Sequence, residues 1–314
     1  MARPDDALGP LIEIEDPRDP RLAEYRDLKD PARRTAGETV FVVEGRLAVR
    51  QLLASPVVTR SLLVDRRQAA SAPDLVAGVR ACGSPVYVAE REVLAATVGF
   101  ALHRGVVAVA GRPAAVDCHT IVGNALARSR RSRAPVLGVL EGVNDHENLG
   151  AMFRNAAAFG VAGLLLDPTS ADPLYRRSVR VSLGHVLTVP FGRAAPWPGV
   201  LEELRATGLL VAALVPDPAR THRTPLHPRE LARKWQGRAV ALLVGAEGSG
   251  LSTAALAAAD EIATVPMAPG VDSINVATAA AIAFYEMTTP VGAGRDRADS
   301  EEPPPGRLRT VAPR

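Results

Sequence analysis

Three segments carry the residues best suited to chemistry. The first, HENLGAMFRNAAAFG, runs from His146 to Gly160. Leu149, Met152, Phe153, Ala156 and Phe159 recur at helical spacing and form one apolar stripe. Arg154 falls off that stripe, beside Gly150, Ala151 and Ala158, so a permanent cation stands among small residues with room for an anion. Asn148 has the residue type of an N-cap, and Gly160 that of a left-handed helix stop. The second segment, LLVGAEGSGLS, runs a strand into Gly245, Gly248 and Gly250 with Glu247 between them. Its spacing differs from the dinucleotide fingerprint, and Leu251 stands where a P-loop needs lysine. What remains is a backbone-lined turn that a flat ligand can approach closely. In the third, VPMAPGVDSINVATAAAIAFYEM, Ser273 and Asn275 precede an alanine-rich helix. Ser273 can cap that helix, which leaves Asn275 as an amide just inside a buried helix, a costly placement unless it has a task. Taken singly, each segment also admits a plain reading: a cap and a surface arginine, a tight turn, another cap.

The elements that must position these residues follow from hydrophobic spacing. TVFVVEG, RSLLVD, PVYVAE and RGVVAVAG read as strands, with GRLAVRQLLAS and APDLVAGVRACG as helices between them, a small α/β domain over 23–112. From Pro135, the strands VLGVLEG, AGLLLD, HVLTVPF, LLVAALV, AVALLVG and EIATVPM alternate with helical patterns. That alternation implies a parallel sheet covered on both faces, and ligands bind such sheets at the carboxyl ends of their strands. A second domain therefore spans 135–290. The segment 1–22 reads as flexible and 291–314 as a disordered tail. Residues 113–134 read as a basic linker, because Arg128, Arg130, Arg131 and Arg133 crowd its end; such a run can touch RNA phosphates or simply be solvated.

Composition narrows the class. A 314-residue chain that is 47% hydrophobic but 4% aromatic builds its cores from Ala, Val and Leu. Its apolar runs are too short to cross a bilayer, and its N-terminus lacks the apolar core of an export signal. Cys82 and Cys118 match no metal spacing and suit a reducing cytoplasm. Lys29 and Lys234 are the only lysines, so the positive charge is almost wholly arginine, which suits phosphate but also follows from a GC-rich genome. Net charge, +3, leaves the partner open.

The order and spacing of the three segments resemble the SpoU (TrmH-like) RNA 2'-O-ribose methyltransferases of the SPOUT superfamily, over about Pro135 to Met287. More weakly, FVVEGRLAVRQLL resembles the small L30e-like substrate-binding domain of that family. The resemblance implies a deep trefoil knot in the second domain, a rare exception to unthreaded chains. It implies S-adenosylmethionine as cofactor, held by Leu214, Val244, Gly245, Gly250, Val265, Met267, Ser273 and Ile274, and no metal. Arg154 becomes the catalytic arginine, with Asn148, Glu247, Ser273 and Asn275 as companions, in a homodimer whose sites are completed by the partner. RNA is the implied substrate, rRNA in preference to tRNA. Two alternatives stay open: a non-catalytic RNA-binding scaffold, and an enzyme that methylates a base nitrogen.

Overall fold

A computed structural model describes residues 9–26, 28, 39–99, 105–129, 134–216 and 223–289. Among these, two sheets form. The first uses β1 (Leu11–Ile14), β2 (Val40–Glu44), β3 (Thr59–Asp65), β4 (Val86–Ala89) and β5 (Val106–Gly111) in the order β1-β4-β3-β5-β2. Strands β1, β4 and β3 are parallel, while β5 runs antiparallel to both β3 and β2. Helices α1 (Arg46–Leu53), α2 (Arg66–Ser71), α3 (Pro73–Ala81) and α4 (Arg91–Val98) connect them. The expected looseness of 1–22 does not hold for its described part. Strand β1 pairs with β4, and Leu22 and Tyr25, on a 3-10 helix over Pro20–Tyr25, are fully buried. Tyr25 carries its hydroxyl to Ser61 at 2.6 Å, which satisfies the buried polar end.

The second sheet has seven strands, ordered β12-β10-β11-β7-β8-β9-β6, and every pairing is parallel. They are β6 (Val116–Asp117), β7 (Val136–Glu141), β8 (Gly163–Leu166), β9 (Phe191–Arg193), β10 (Leu210–Leu214), β11 (Val240–Gly245) and β12 (Glu261–Ala263). Side chains alternate across the pleat. Leu140, Leu242 and Val244 meet α6 (His146–Phe159) and α11 (Val276–Thr288) on one face, in the apolar cluster that also holds Val179 of α7 (Arg176–Val181). Val139, Ala241 and Leu243 meet α5 (Cys118–Ser129), α8 (Val200–Ala206) and α10 (Thr253–Ala258) on the other. A further helix, α9 (Pro228–Lys234), packs against α11.

Two expectations change here. The segment expected as a basic linker is part of the second sheet: β6 pairs with β9, and α5 buries Cys118, Ile121, Val122 and Ala125. Its apolar spacing, masked by the arginines that follow, decides this. Arg128 lies exposed near the end of α5, while Arg130, Arg131 and Arg133 fall outside the described residues, as does the tail from 290 on. HVLTVPF does not make one strand; His185–Leu187 forms a 3-10 turn, and the strand begins only at Phe191.

The two sheets' layers meet through α7 and the turn after it. Arg112 donates to both carboxylate oxygens of Asp172, at 3.3 and 2.6 Å, and Arg176 pairs with the buried Glu44 at 3.5 Å. Gly184, at φ +85°, lies flat on α1, where a Cβ would stand 2.8 Å from the Cα of Ala48. Gly184→Ala is therefore expected to cost about 1–3 kcal/mol and lower Tm. Gly160→Ala is the comparison: φ is +69° but the Cβ faces open space, so only about 1 kcal/mol is lost. Calorimetric melting of the two variants checks the difference.

Candidate active site

Because the sheet is parallel, the loops after β7, β10, β11 and β12 leave along one edge. The side chain of Asn275 joins three of the segments met there. Its amide nitrogen donates to Asn148 Oδ1 at 2.7 Å and to Glu247 Oε1 at 3.1 Å. Its carbonyl oxygen accepts from the backbone of Ala277 and Thr278, at 3.0 and 3.1 Å, and so caps α11. With the oxygen committed to two N–H donors and the nitrogen to two acceptors, the amide has one satisfactory orientation. Asn275 is thus not inside the helix but its N-cap, and Ser273 is left exposed rather than acting as the cap. Asn148 is likewise not the cap of α6. Asp145 takes that place, accepting from Glu147 and Asn148 at 2.9 and 2.8 Å, because the helix starts earlier, at His146. Freed from capping, the Asn148 side chain reaches across to α11.

The glycine segment folds into a tight turn. Gly250 donates to the carbonyl of Ala246 at 3.0 Å, and a Cβ on Gly245 would collide with the Gly250 carbonyl carbon at 2.3 Å. Gly248 and Gly250 hold φ of +86° and +67°, the left-handed region that favours glycine. The exit of the turn is fixed by Glu141 at the end of β7, which accepts from the amide of Ser252 at 2.8 Å and from Trp197 Nε1 at 2.7 Å. Asp167, after β8, does the same for the approach to α6. It accepts from the Gly142 amide at 3.0 Å and from both the amide and hydroxyl of Ser170, at 2.8 and 2.6 Å. Burial pushes its carboxyl up, but the Ser170 and Thr169 hydroxyls and these amides outweigh that and hold it below the ordinary value. Neither carboxylate stood out in the sequence analysis; a charge ending an apolar strand, as in VLGVLEG and GLLLD, was the available signal.

The turn, the strand ends and the loop before α11 enclose a cavity of about 490 Å³. All eight residues expected to hold a cofactor line it: Leu214, Val244, Gly245, Gly250, Val265, Met267, Ser273 and Ile274. Glu247 and Asn275 share its wall. Pro216, Ala246 and Leu256 also line it and escaped the sequence analysis, having no distinguishing residue type. Arg154 does not join this group within one chain. At six residues from Asn148 it is turned about 120° around α6, and it lines a separate cavity with Glu44 and Arg180. The space expected beside it at Gly150 is filled by α7, whose Ser178 carbonyl would stand 2.7 Å from a Cβ there.

Residues 135–285 match the model of the SpoU rRNA methylase family. A tRNA/rRNA methyltransferase of Mycobacterium tuberculosis, itself uncharacterized, is 44% identical over 276 residues, 87% of this chain and 90% of that protein. The chain belongs to the SpoU family. It is an RNA methyltransferase on that basis. RlmP of Bacillus subtilis, named as a 23S rRNA guanosine 2'-O-methyltransferase, is 26% identical across 88% of this chain and 99% of its own. Among solved structures, the SpoU methyltransferase AviRb of Streptomyces viridochromogenes in complex with the cofactor AdoMet superposes with a TM-score of 0.66 at 27% identity, covering 86% of this chain and 98% of AviRb. An AdoMet-bound rRNA methyltransferase of Sinorhizobium meliloti reaches 0.71 at 22% identity, a likeness of fold, over 88% of this chain and 97% of that one.

The Asp167 network generates a pH prediction. A carboxyl held below its unfolded value of 3.8 adds stability that is complete above that value and is lost as pH falls through the lower folded one. Asp167→Asn should cost about 1–3 kcal/mol at pH 7. The gap from wild type should narrow below pH 3.8, as urea unfolding at the two pH values will read.

Proposed function

We propose that this SpoU-family chain acts as a homodimer that transfers the methyl of S-adenosylmethionine to a ribose 2'-hydroxyl of RNA, rRNA in preference to tRNA. The observation that carries the reading is the joining of Asn148, Glu247 and Asn275, from three distant segments, beside one cavity. The residues present suit the cofactor. The cavity has the volume of a cofactor pocket and apolar walls from Leu214, Val265 and Ile274 for a flat heterocycle. Its glycine turn exposes backbone groups without side-chain obstruction. When bound, S-adenosylmethionine supplies a methyl group activated by its sulfonium. In keeping with the family resemblance, we assign the trefoil knot to the loops that enclose this cavity, and RNA binding to the first domain.

The protein's own residues handle the acceptor. A ribose hydroxyl is a poor nucleophile until its proton leaves, and Glu247 presents an exposed carboxylate at the cavity wall, steadied by Asn275, to orient that hydroxyl or take the proton. Ser273, exposed on the same wall, offers a neutral hydrogen bond to the ribose. Arg154 stabilises the developing oxyanion and the adjoining phosphate, since a guanidinium holds its proton too firmly to serve as a base. Since Arg154 faces away from its own chain's cavity, each site draws this residue from the second subunit. The rRNA preference is supported by the separate first domain and by the name that RlmP carries.

Arg154→Ala and Asn275→Ala homodimers are each expected to lose about 100-fold or more in methyl transfer to ribosomal RNA. Mixed dimers of the two variants should regain close to half the wild-type rate, because one site then has both residues intact. Activity absent from mixed dimers would place Arg154 in its own chain's site. Mass spectrometry of nuclease digests should find the methyl on ribose; a methylated base would remove the acceptor assignment.

A further inference from the structure

Glu141 ends β7 with a buried carboxylate that the proposed methyl transfer does not use. The other buried carboxylates among the described residues have a nearby task or a cation. Asp65 accepts from Gln68, three residues on, Asp167 ties its own loop to Gly142, and Glu44 pairs with Arg176. Glu141 instead gives one oxygen to each of two distant neutral donors. Its Oε1 accepts from the indole of Trp197, 56 residues on, at 2.7 Å, and its Oε2 from the amide of Ser252, 111 residues on, at 2.8 Å. Loss of either donor leaves a buried anionic oxygen unsatisfied. Both bonds bear on the cofactor cavity. Ser252 follows Gly250 and Leu251, which line it, and caps α10 by accepting from the Ala255 amide at 3.2 Å. Trp197 lies in the segment 194–199 between β9 and α8 and packs, half-buried, on the apolar cluster that holds Leu251 and Ala255.

We propose that Glu141 and Trp197 are positioning residues for the cofactor: the indole N–H fixes the carboxylate, the carboxylate fixes the Ser252 amide, and the glycine turn keeps the shape in which its backbone meets S-adenosylmethionine. This rests on the reading of the cavity as the S-adenosylmethionine site and adds two residues that lie outside its wall. Glu141 holds both ends of the turn. Its backbone stands in register with Gly245 at the entrance, and its side chain binds Ser252 at the exit. Between those ends the chain has little stiffness of its own, since Gly248 and Gly250 are at left-handed φ and can take many other paths. Trp197 sets where the carboxylate points, and no cation pairs with Glu141 among the described residues to replace that bond.

The test is titration calorimetry of S-adenosylmethionine into single and double variants, with steady-state methyl transfer on the same samples. Glutamine keeps the size of Glu141 but offers one acceptor and one N–H donor, so one of its two partners then faces a donor. Glu141→Gln and Trp197→Phe should each weaken S-adenosylmethionine binding about five- to tenfold, with KM for the cofactor rising by the same factor. At saturating cofactor, kcat and KM for RNA should stay within about twofold of wild type, which also shows that the variants are folded. Combining the two substitutions should recover most of the affinity, because the glutamine oxygen is free to take the Ser252 amide while its nitrogen meets a ring that no longer donates. Gly184→Ala, destabilised at the contact between the domains, should bind the cofactor as wild type does. Wild-type affinity in either single variant would overturn the assignment, as would a double variant as weak as the two losses multiplied, since the residues would then act independently. A wild-type chain that binds no S-adenosylmethionine would overturn it together with the reading of the cavity.

Discussion

One side-chain amide holds the site together. Asn275 caps α11 through its oxygen and, through its nitrogen, fastens α6 and the glycine turn to that cap. Each of these bonds is local and modest by itself, on the order of 1 kcal/mol net and more for the one to a carboxylate. Their consequence is larger than their sum, because they tie residues 127 and 28 positions away to a single helix start. Nothing else described in the molecule fixes Glu247, which is exposed on a turn.

The parallel sheet supplies the frame in which such a joint is possible. Its strands end on one edge, so loops far apart in sequence are delivered side by side, and carboxylates at those ends tie the loops down. Glu141 holds the exit of the glycine turn, and Asp167 holds the approach to α6. On the same helix, chemistry is divided between two directions. Asn148 faces α11, and Arg154, six residues on, faces the cleft with the first domain. A single chain therefore has a place for a cofactor and its amide joint on one side of α6 and an unneutralised cationic wall on the other. The homodimer proposed above, with one copy's wall against the other's cavity, is what would bring the two together.

Much of this was legible in the sequence, and what was not has physical reasons. The strands of the second sheet were readable because their runs of Val, Leu and Ala are buried on both faces. All eight proposed cofactor residues line the cavity because strand ends and glycine turns are marked by residue type. Caps were misassigned twice, at Asn148 and Ser273, since several residues near each helix start can accept the same amides and only the backbone path selects one. Helix α5 was hidden by the arginines at its end, and β1 by the Pro- and Asp-rich composition around it. The space imagined at Gly150 was real but serves packing against α7. Which direction Arg154 faces relative to Glu247 depends on how α6 is rotated on the sheet, and that rotation has no signature in spacing.

The most direct measurement of the central claim is titration calorimetry of S-adenosylmethionine into Asn275→Ser. Serine retains an oxygen to cap α11 but has no amide to reach Asn148 and Glu247 together, so Tm should stay within the shift produced by about 1 kcal/mol. Affinity for the cofactor should nevertheless fall at least about tenfold, the equivalent of roughly 1.4 kcal/mol, as the glycine turn and α6 lose their common anchor. An affinity equal to that of the wild-type chain would contradict the role given to this residue.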